Sequence, residues 1–344
     1  MTVLSLNRMT AADAAGAMAP RRRRGRAILA RIGGALGVLV PIVFLSSFIT
    51  YGLGALSNSD VAATILGQDA ATPAAVARLN RSLGLDRPLV VQYWHWVSQA
   101  VRGNLGVSYF TQIPVVQSIS QRLPVDLSIA VLAVILAVFI GGGAGLLAAV
   151  SRGSWFDRGV TAACSAVSTL PAYVIGIVLV VMFAVTVHLL PASGYVGPTT
   201  SVPQWLKYII LPSFALCLQV SADVARQLRT SLVSVLEQNY VIGARVRGLP
   251  YRRVLIRHAL RNAAGPALTV LGNDFPVMLA GAVALEAVFS LPGIGQLLLE
   301  SAQTRDIPVV QGLLLVISTF VIVVNLLVNV TLNWLYRTSD GVGA

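Results

Sequence analysis

Charged residues are scarce in this chain: Asp, Glu, Lys and Arg make up 11% of its 344 residues, whereas 56% are hydrophobic. Several stretches of more than 20 residues carry no charge, and the mean hydropathy is +0.77. A soluble protein would interrupt such stretches with the polar positions of amphipathic helices or strands. Because lipid offers the backbone no water to bond with, a spanning helix needs about 20 apolar residues. The composition therefore predicts an all-α integral membrane protein.

The residue sets that catalysis and metal binding require are also missing. Cys164 and Cys217 lie in separate apolar segments without a CxxC motif, which argues against a disulfide or a metal site. The three histidines fall in three different segments, and neither HExxH nor GxSxG occurs. The only lysine, Lys207, is not part of the Gly-Lys-Ser/Thr sequence that holds nucleotide phosphates in a P-loop. We predict no catalytic residue, no bound metal and no ATP site in this chain.

Six segments are long and apolar enough to span a membrane. Four of them carry no charged residue, and the other two contain one acid each, Asp223 or Asp274. An acid at a helix centre costs about 2.5–3.5 kcal/mol on insertion scales, which the surrounding Leu, Val and Ala residues offset. We predict six transmembrane helices over residues 32–56, 127–150, 159–190, 208–228, 263–285 and 307–335.

The arginines determine the expected orientation. With an inside N-terminus, the arginines before residue 32, those between 226 and 261, and Arg337 all face the cytoplasm, as the positive-inside rule requires. We predict an Arg-rich cytoplasmic extension (1–31), a six-span domain (32–337) with an external loop (57–124), and a cytoplasmic tail (338–344). The net charge of +12 then reflects topology and anionic lipid, so nucleic acid is not an expected partner.

The predicted external loop contains two helical signals. Pro73 suits the first position of a short helix. Further on, Tyr93, Trp94 and Trp96 suit a helix that lies at the membrane interface, where aromatic side chains anchor at the headgroups. A docking surface for a partner outside the membrane is the alternative interpretation of the same residues.

The most basic stretch is RVRGLPYRRVLIRHALRN, residues 245–262. We predict a helix that ends near Val246, a break at Gly248 and a second helix with Pro250 at its first position. A 3.6-residue period places one set of side chains on a common face, with Ile256 and Leu260 nearly opposite: Tyr251, Val254, Leu255, His258 and Ala259. Two apolar faces suit a helix held between the membrane domain and a partner protein, whereas charge alone would suit an ordinary inside loop.

Residues 240–266, YVIGARVRGLPYRRVLIRHALRNAAGP, resemble the cytoplasmic loop of binding-protein-dependent ABC transporter permeases. The chain keeps the Ala (Ala244) and Gly (Gly248) of that family's signature but lacks its initial Glu and final Pro. It is closer to the oligopeptide, dipeptide and nickel branch. Three further stretches resemble the first permease subunit of that branch: LGLDRPLVVQYWHWV with GNLGVSY (83–109), LPASGYV (190–196) and EAVFSLPGIGQLLLESAQTRDIPVVQG (286–312).

The resemblance covers about residues 32–337 and implies a type I ABC importer fold in the bacterial plasma (inner) membrane. It implies a second homologous permease, two ATP-binding subunits that hold ATP and Mg, and an extracytoplasmic substrate-binding protein. It also implies that a cytoplasmic loop at about 236–262 couples the chain to the ATPases, through Ala244, Arg245, Arg247, Gly248, Leu249, Val254, Leu255 and His258.

Polar residues in the middle of predicted spans indicate a substrate pathway, because such residues usually face an interior cavity. They are Gln219, Asp223, Asn273 and Asp274, although hydrogen bonds to neighbouring helices would equally explain them. The expected substrates are oligopeptides or dipeptides, with nickel, haem or glutathione as alternatives. An ion-driven secondary transporter that uses the two acids as proton carriers is a rival, but no internal repeat is evident. A membrane-embedded enzyme is a second rival, but no nucleophile–base pair is evident.

Overall fold

A computed structural model of the chain describes residues 37, 41, 43–52, 61–67 and 70–337, with side chains described as far as Leu332. The chain divides into two compact units, Met1–Ile49 and Thr50–Ala344. The described residues contain helices and one isolated bridge between Val107 and Pro114. An all-helical chain agrees with the composition.

Twelve helices are described. The shorter ones in the first part of the chain are α1 (Val43–Gly52), α2 (Val61–Leu66), α3 (Pro73–Leu83) and α4 (Leu89–Ala100). The remaining helices are α5 (Val115–Val150), α6 (Trp155–Ser168), α7 (Ala172–Leu179, continued by a π-helical segment Val180–Thr186), α8 (Val202–Leu236), α9 (Asn239–Val246), α10 (Tyr251–Phe289), α11 (Ile294–Thr304) and α12 (Ile307–Arg337).

Four helices of the described part are long and apolar enough to cross a membrane: α5, α8, α10 and α12. They contain four of the six predicted spans. The predicted span 159–190 is not one straight helix, since α6 and α7 meet at an angle of 102°. Pro171 explains the bend, because proline lacks the backbone N–H and disfavours a helical residue before it. Most of predicted span 32–56 lies outside the described residues.

Two glycines of α5, Gly141 and Gly145, let it pack closely against α8. A Cβ added at Gly141 would lie 2.5 Å from the Ser221 carbonyl oxygen, and one at Gly145 would lie 2.6 Å from that of Ala225. These glycines are four residues apart and share a helix face. Added Cβ atoms at Gly142 and Gly143 would meet open space.

Helix α10 is longer than predicted. The second helix of the basic stretch does not end before the following span: Tyr251–Phe289 is one helix of 39 residues, and Pro250 precedes it as the N-cap rather than occupying its first position. A π-helical segment, Val254–Leu260, lies near its beginning. The predicted loop at 236–262 therefore consists of α9, a short turn and the first part of α10.

The segment before α5 contains the two predicted helices. Helix α3 begins at Pro73, and the Thr72 hydroxyl accepts a hydrogen bond from the Ala75 N–H. On α4, Tyr93 is 2% exposed and its ring packs against that of Trp96, whereas Trp94 is 63% exposed. Tyr93 of α4 is therefore buried, whereas Trp94 lies on the surface.

Candidate functional site

A cavity of about 500 Å³ lies between the α6–α7 bend, α8 and α10. The bend contributes residues 168–173. Each of the two long helices contributes one face, at spacings of three and four residues: Leu216, Gln219, Val220 and Asp223 from α8, and Asp274, Val277, Met278 and Gly281 from α10. The bend around Pro171 therefore forms one wall of the cavity.

The structure brings together three of the four residues that the sequence assigns to a substrate pathway. Gln219, Asp223 and Asp274 all line the cavity. Asn273 is exposed and does not line it, since successive residues of a helix point about 100° apart. Three of the four predicted pathway residues therefore line the cavity, and Asn273 lies on a neighbouring face of α10.

The two acids of the cavity have different surroundings. Asp223 forms an ion pair with Arg226 on the next turn of α8, and the Nη2 of this arginine also donates to the Ser168 hydroxyl at 3.0 Å. The Asp274 side chain forms no hydrogen bond or ion pair with any described residue, and its Oδ2 is fully buried. Only Asp223 therefore forms a direct ion pair, whereas Asp274 interacts with Arg226 at longer range.

A second region of interest is the turn between α9 and α10. Gly248 has φ +80°, as expected for a glycine that ends a helix, and its N–H donates to the Arg245 carbonyl at 3.0 Å. The Leu249 N–H donates to the Ala244 carbonyl at 3.3 Å. This turn closes α9 and directs the chain into α10.

The residues assigned to ATPase coupling divide by exposure. Arg245, Arg247 and Gly248 are exposed, and Leu249, Leu255 and His258 are partly buried. Ala244 and Val254 are instead buried with Val241 in a small apolar cluster that Val235 and Leu236 of α8 also contact. Ala244 and Val254 thus hold α9 and α10 against α8 and present no surface to a partner.

The predicted apolar face of the second helix is only partly correct. Of its five residues, Val254 and Ala259 are buried, whereas Tyr251 is exposed. Val254 and Ala259 share a face because they lie in the π-helical segment, whose i→i+5 hydrogen bonds give more residues per turn than the 3.6 that the prediction assumed.

Sequence reasoning missed three exposed apolar side chains around this turn, Tyr240, Ile242 and Val246. Tyr251 and Ile256, which the sequence placed on the apolar faces of the second helix, are exposed as well. We call these five residues, together with Arg245, Arg247 and Gly248, the α9–α10 surface. Val246 is 81% exposed, and the Arg245 guanidinium lies 5.6 Å from the centre of the Tyr251 ring. The i, i+4 spacing of Ile242 and Val246 within so basic a stretch was the available signal. Exposed apolar residues grouped with cations are typical of a protein-binding surface.

Two buried carboxylates that the sequence did not single out stabilise the N-terminus of α11. The Ile294 N–H donates to Asp126 Oδ2 at 2.8 Å, and the Gln296 N–H donates to Glu286 Oε2 at 2.7 Å. The Gly295 N–H also donates to Glu286 Oε1, at 3.2 Å. These N–H groups have no partners within the helix, so the carboxylates satisfy them. Asp126 and Glu286 escaped notice because each lies one residue outside a predicted span.

Asp306 joins two of the sequence motifs, GNLGVSY and the 286–312 stretch. Its carboxylate accepts hydrogen bonds from the Ser108 hydroxyl and from the Tyr109 N–H, the latter at 3.1 Å. Burial raises the pKa of Asp306 above its ordinary value, although these hydrogen bonds oppose the shift. Burial also raises the pKa of Tyr109 above its ordinary value.

Comparisons with known proteins cover most of the chain. Residues 141–339 match the family described as "Binding-protein-dependent transport system inner membrane component". Residues 26–130 match "Binding-prot-dependent transport system membrane comp, N-term". The two matches include the cavity, the α9–α10 surface and the α11 N-terminus.

Individual relatives extend over similar lengths. The chain is 40% identical over 274 residues to the "Probable peptide ABC transporter permease protein y4tP" of Sinorhizobium fredii, which is 80% of this chain and 87% of that protein. It is 36% identical over 293 residues to the "Glutathione transport system permease protein GsiC" of Escherichia coli K12, which is 85% of this chain and 92% of that protein.

Proposed function

The chain belongs to the family of inner membrane components of binding-protein-dependent transport systems, and on that basis we propose that it carries peptides as one permease of an ATP-driven importer. It is a multi-pass inner membrane protein of the ABC permease class, a transport component rather than an enzyme. The peptide substrate is supported by the S. fredii relative, whose name specifies peptides. The name of the E. coli relative specifies glutathione, which is itself a tripeptide.

One observation supports the transport mechanism above all others: α10 runs without a break from the α9–α10 surface to the cavity. Its first residues, including Tyr251 and Ile256, are exposed, and further along the same helix Asp274 lines the cavity. A displacement of the exposed end by an ATP-binding subunit would therefore be transmitted to the cavity wall.

The topology that accompanies this proposal has six spans, with both termini in the cytoplasm. The extension 1–31, the α9–α10 surface and the tail 338–344 would lie inside, and the segment 57–124 would lie outside. The α6–α7 pair would count as one bent span. The exposed cations Arg245 and Arg247 support an inside position for the turn.

In the proposed complex, the chain pairs with a second homologous permease, and two ATP-binding subunits supply all ATP and Mg sites. The α9–α10 surface would contact one of these subunits, with Ala244 and Val254 supporting it from beneath. Gln219, Asp223 and Asp274 would line this chain's half of the pathway, and the exposed Asn273 would face lipid or the second permease. A substrate-binding protein would deliver peptides from outside.

The test is transport by the reconstituted complex. The chain, its second permease, the two ATP-binding subunits and the binding protein are placed in liposomes, and accumulation of labelled dipeptides to pentapeptides is measured. We expect accumulation that requires hydrolysable ATP and is inhibited by unlabelled peptide but not by nickel or haem. The purified chain alone should hydrolyse no ATP. Uptake of nickel or haem without peptide would contradict the substrate, and uptake driven by a proton gradient alone would contradict the ATP-driven mechanism.

A further inference from the structure

The cavity between the α6–α7 bend, α8 and α10 is acidic in character. Asp223 and Asp274 line it, and none of the described residues lining it is Lys, Arg or His. Its other polar groups include the Gln219 amide and the hydroxyls of Ser168, Thr169 and Tyr173. A cavity with this lining favours a cationic group over an anionic one.

The two acids are not equivalent as ligands for a cation. Asp223 is already paired with Arg226, and Ser168 holds the other side of this arginine. The Asp274 carboxylate has no partner among the described residues, and its Oδ2 is buried. An acid without a direct partner in a membrane-spanning helix is destabilising, and such an acid usually has a function. Arg226 acts on Asp274 only at longer range, so Asp274 is the acid in the cavity that lacks a direct hydrogen-bonding or ion-pair partner.

The size and the remaining lining indicate which cation fits. A volume of about 500 Å³ lies within the range of small-molecule sites and excludes a folded partner. Leu216, Val277 and Met278 supply an apolar wall, and methionine adapts to side chains of different shape. A ligand with a constant ammonium and variable apolar groups matches this combination.

We propose that Asp274 binds the amino-terminal ammonium of a peptide in the cavity, while the apolar wall accepts its side chains without strong selection. The proposal rests on the peptide-transport function above. An ammonium offers three N–H donors and a positive charge in direct contact, both of which Asp274 lacks among the described residues. The Gln219 amide, on the opposite helix, is available to a peptide group of the same ligand.

The test compares peptides that differ only at the amino terminus. Wild-type, Asp274→Asn and Asn273→Ala complexes are reconstituted, and uptake of trialanine and N-acetyl-trialanine is measured with binding protein loaded to the same occupancy. Asp274→Asn conserves size, and Asn273→Ala controls for a disturbance of α10 outside the cavity. We expect Asp274→Asn to slow uptake of trialanine about tenfold, as for loss of one charge-assisted hydrogen bond. Uptake of the acetylated peptide should change less than twofold, and Asn273→Ala should match the wild type for both.

A second measurement avoids selection by the binding protein. Ala280 lines the cavity and is exposed, so an Ala280→Cys complex can be labelled with a maleimide. Millimolar trialanine should slow this labelling and N-acetyl-trialanine should not, and Asp274→Asn should remove the difference. The substitution Asp274→Glu, which retains the charge, should retain protection.

The outcomes separate this proposal from the one on which it rests. If the wild-type complex transports neither peptide, the peptide-transport function is wrong. If it transports peptides but Asp274→Asn slows both to the same extent, Asp274 has a structural role. If Asp274→Asn slows neither and protection is unaffected, the carboxylate does not contact the amino terminus. Each of the last two results overturns the assignment of Asp274.

Discussion

The packing of α5 on α8 yields a prediction in which four neighbouring glycines serve as one another's controls. Alanine is placed singly at Gly141, Gly142, Gly143 and Gly145. In a helix interior alanine is favoured over glycine by about 0.8–1.0 kcal/mol, and this gain is the same at all four positions. Any difference among the variants therefore reports what each new methyl group meets.

The magnitude follows from the distances. At Gly141 and Gly145 the methyl carbon would lie 2.5 Å and 2.6 Å from carbonyl oxygens of α8. These oxygens belong to the backbone, so relief requires the two helices to separate by roughly 1 Å, given that non-bonded atoms prefer about 3.5–4.0 Å. Overpacking of this kind costs about 1–3 kcal/mol. At Gly142 and Gly143 the methyl group meets nothing. We expect the two pairs to differ in stability by about 1–3 kcal/mol, with Gly142→Ala and Gly143→Ala at or above wild type.

The assay measures unfolding of the purified protein in a mild detergent. Unfolding is induced in one experiment by heating and in another by titration with a denaturing detergent. Helical content before unfolding establishes that each variant is folded. Equal midpoints for all four variants would show that α5 and α8 are not in close contact, and the arrangement of the helices described here would then be wrong.

Two further predictions concern the α9–α10 turn and the Asp306 contact. Gly248→Val should lower peptide uptake and uncouple ATP hydrolysis from the loaded binding protein, because the left-handed conformation costs residues other than glycine about 1–2 kcal/mol. Arg252→Glu should have a milder effect on both measurements. A larger effect of Arg252→Glu than of Gly248→Val would show that charge rather than backbone shape governs coupling. Because burial raises the pKa of Asp306, its contribution to stability is complete below the ordinary Asp value of about 3.9 and falls as pH rises through the raised value. The wild type should thus lose stability relative to Asp306→Asn as pH rises above about 4, and parallel pH profiles of the two melting temperatures would contradict this assignment.

Local signals in the sequence predicted the features that depend on a few consecutive residues. Pro73 begins α3, and Gly248 adopts positive φ. In both cases the residue type restricts or frees its own backbone, so no distant contact is needed. The long apolar stretches likewise determine α5, α8, α10 and α12, since their composition alone excludes a solvated position.

Features that depend on two signals in competition were predicted less well. The absence of charge between residues 159 and 190 indicated one span, but Pro171 within it bends the chain by 102°. Gly248 and Pro250 correctly indicated a break, yet nothing in the sequence marked where the second helix would end. The second helix continues to Phe289 because the apolar segment that follows it is also helical and no stop signal separates the two.

Contacts between distant residues were beyond the sequence. Asp126 and Ile294 are separated by 168 positions, and Ser108 and Asp306 by 198. No periodicity connects such pairs, because their approach follows from the packing of whole helices. The same holds for the cavity: the sequence indicated polar residues in mid-span, but only the packing of α8 against α10 shows that Asp274 joins Gln219 and Asp223 while Asn273 does not.

The unbroken course of α10 has a consequence for how the chain can vary in length. Each residue of an α-helix adds about 100° of rotation, so one residue inserted between Arg261 and Asn273 would turn Asp274 away from the cavity. The start of the helix would keep its orientation beside α9. Substitutions that keep the segment α-helical leave that angular relation intact, whereas a single insertion or deletion in regular α-helix shifts it by about 100°. The number of residues between the two ends of α10 is therefore more constrained than their identity.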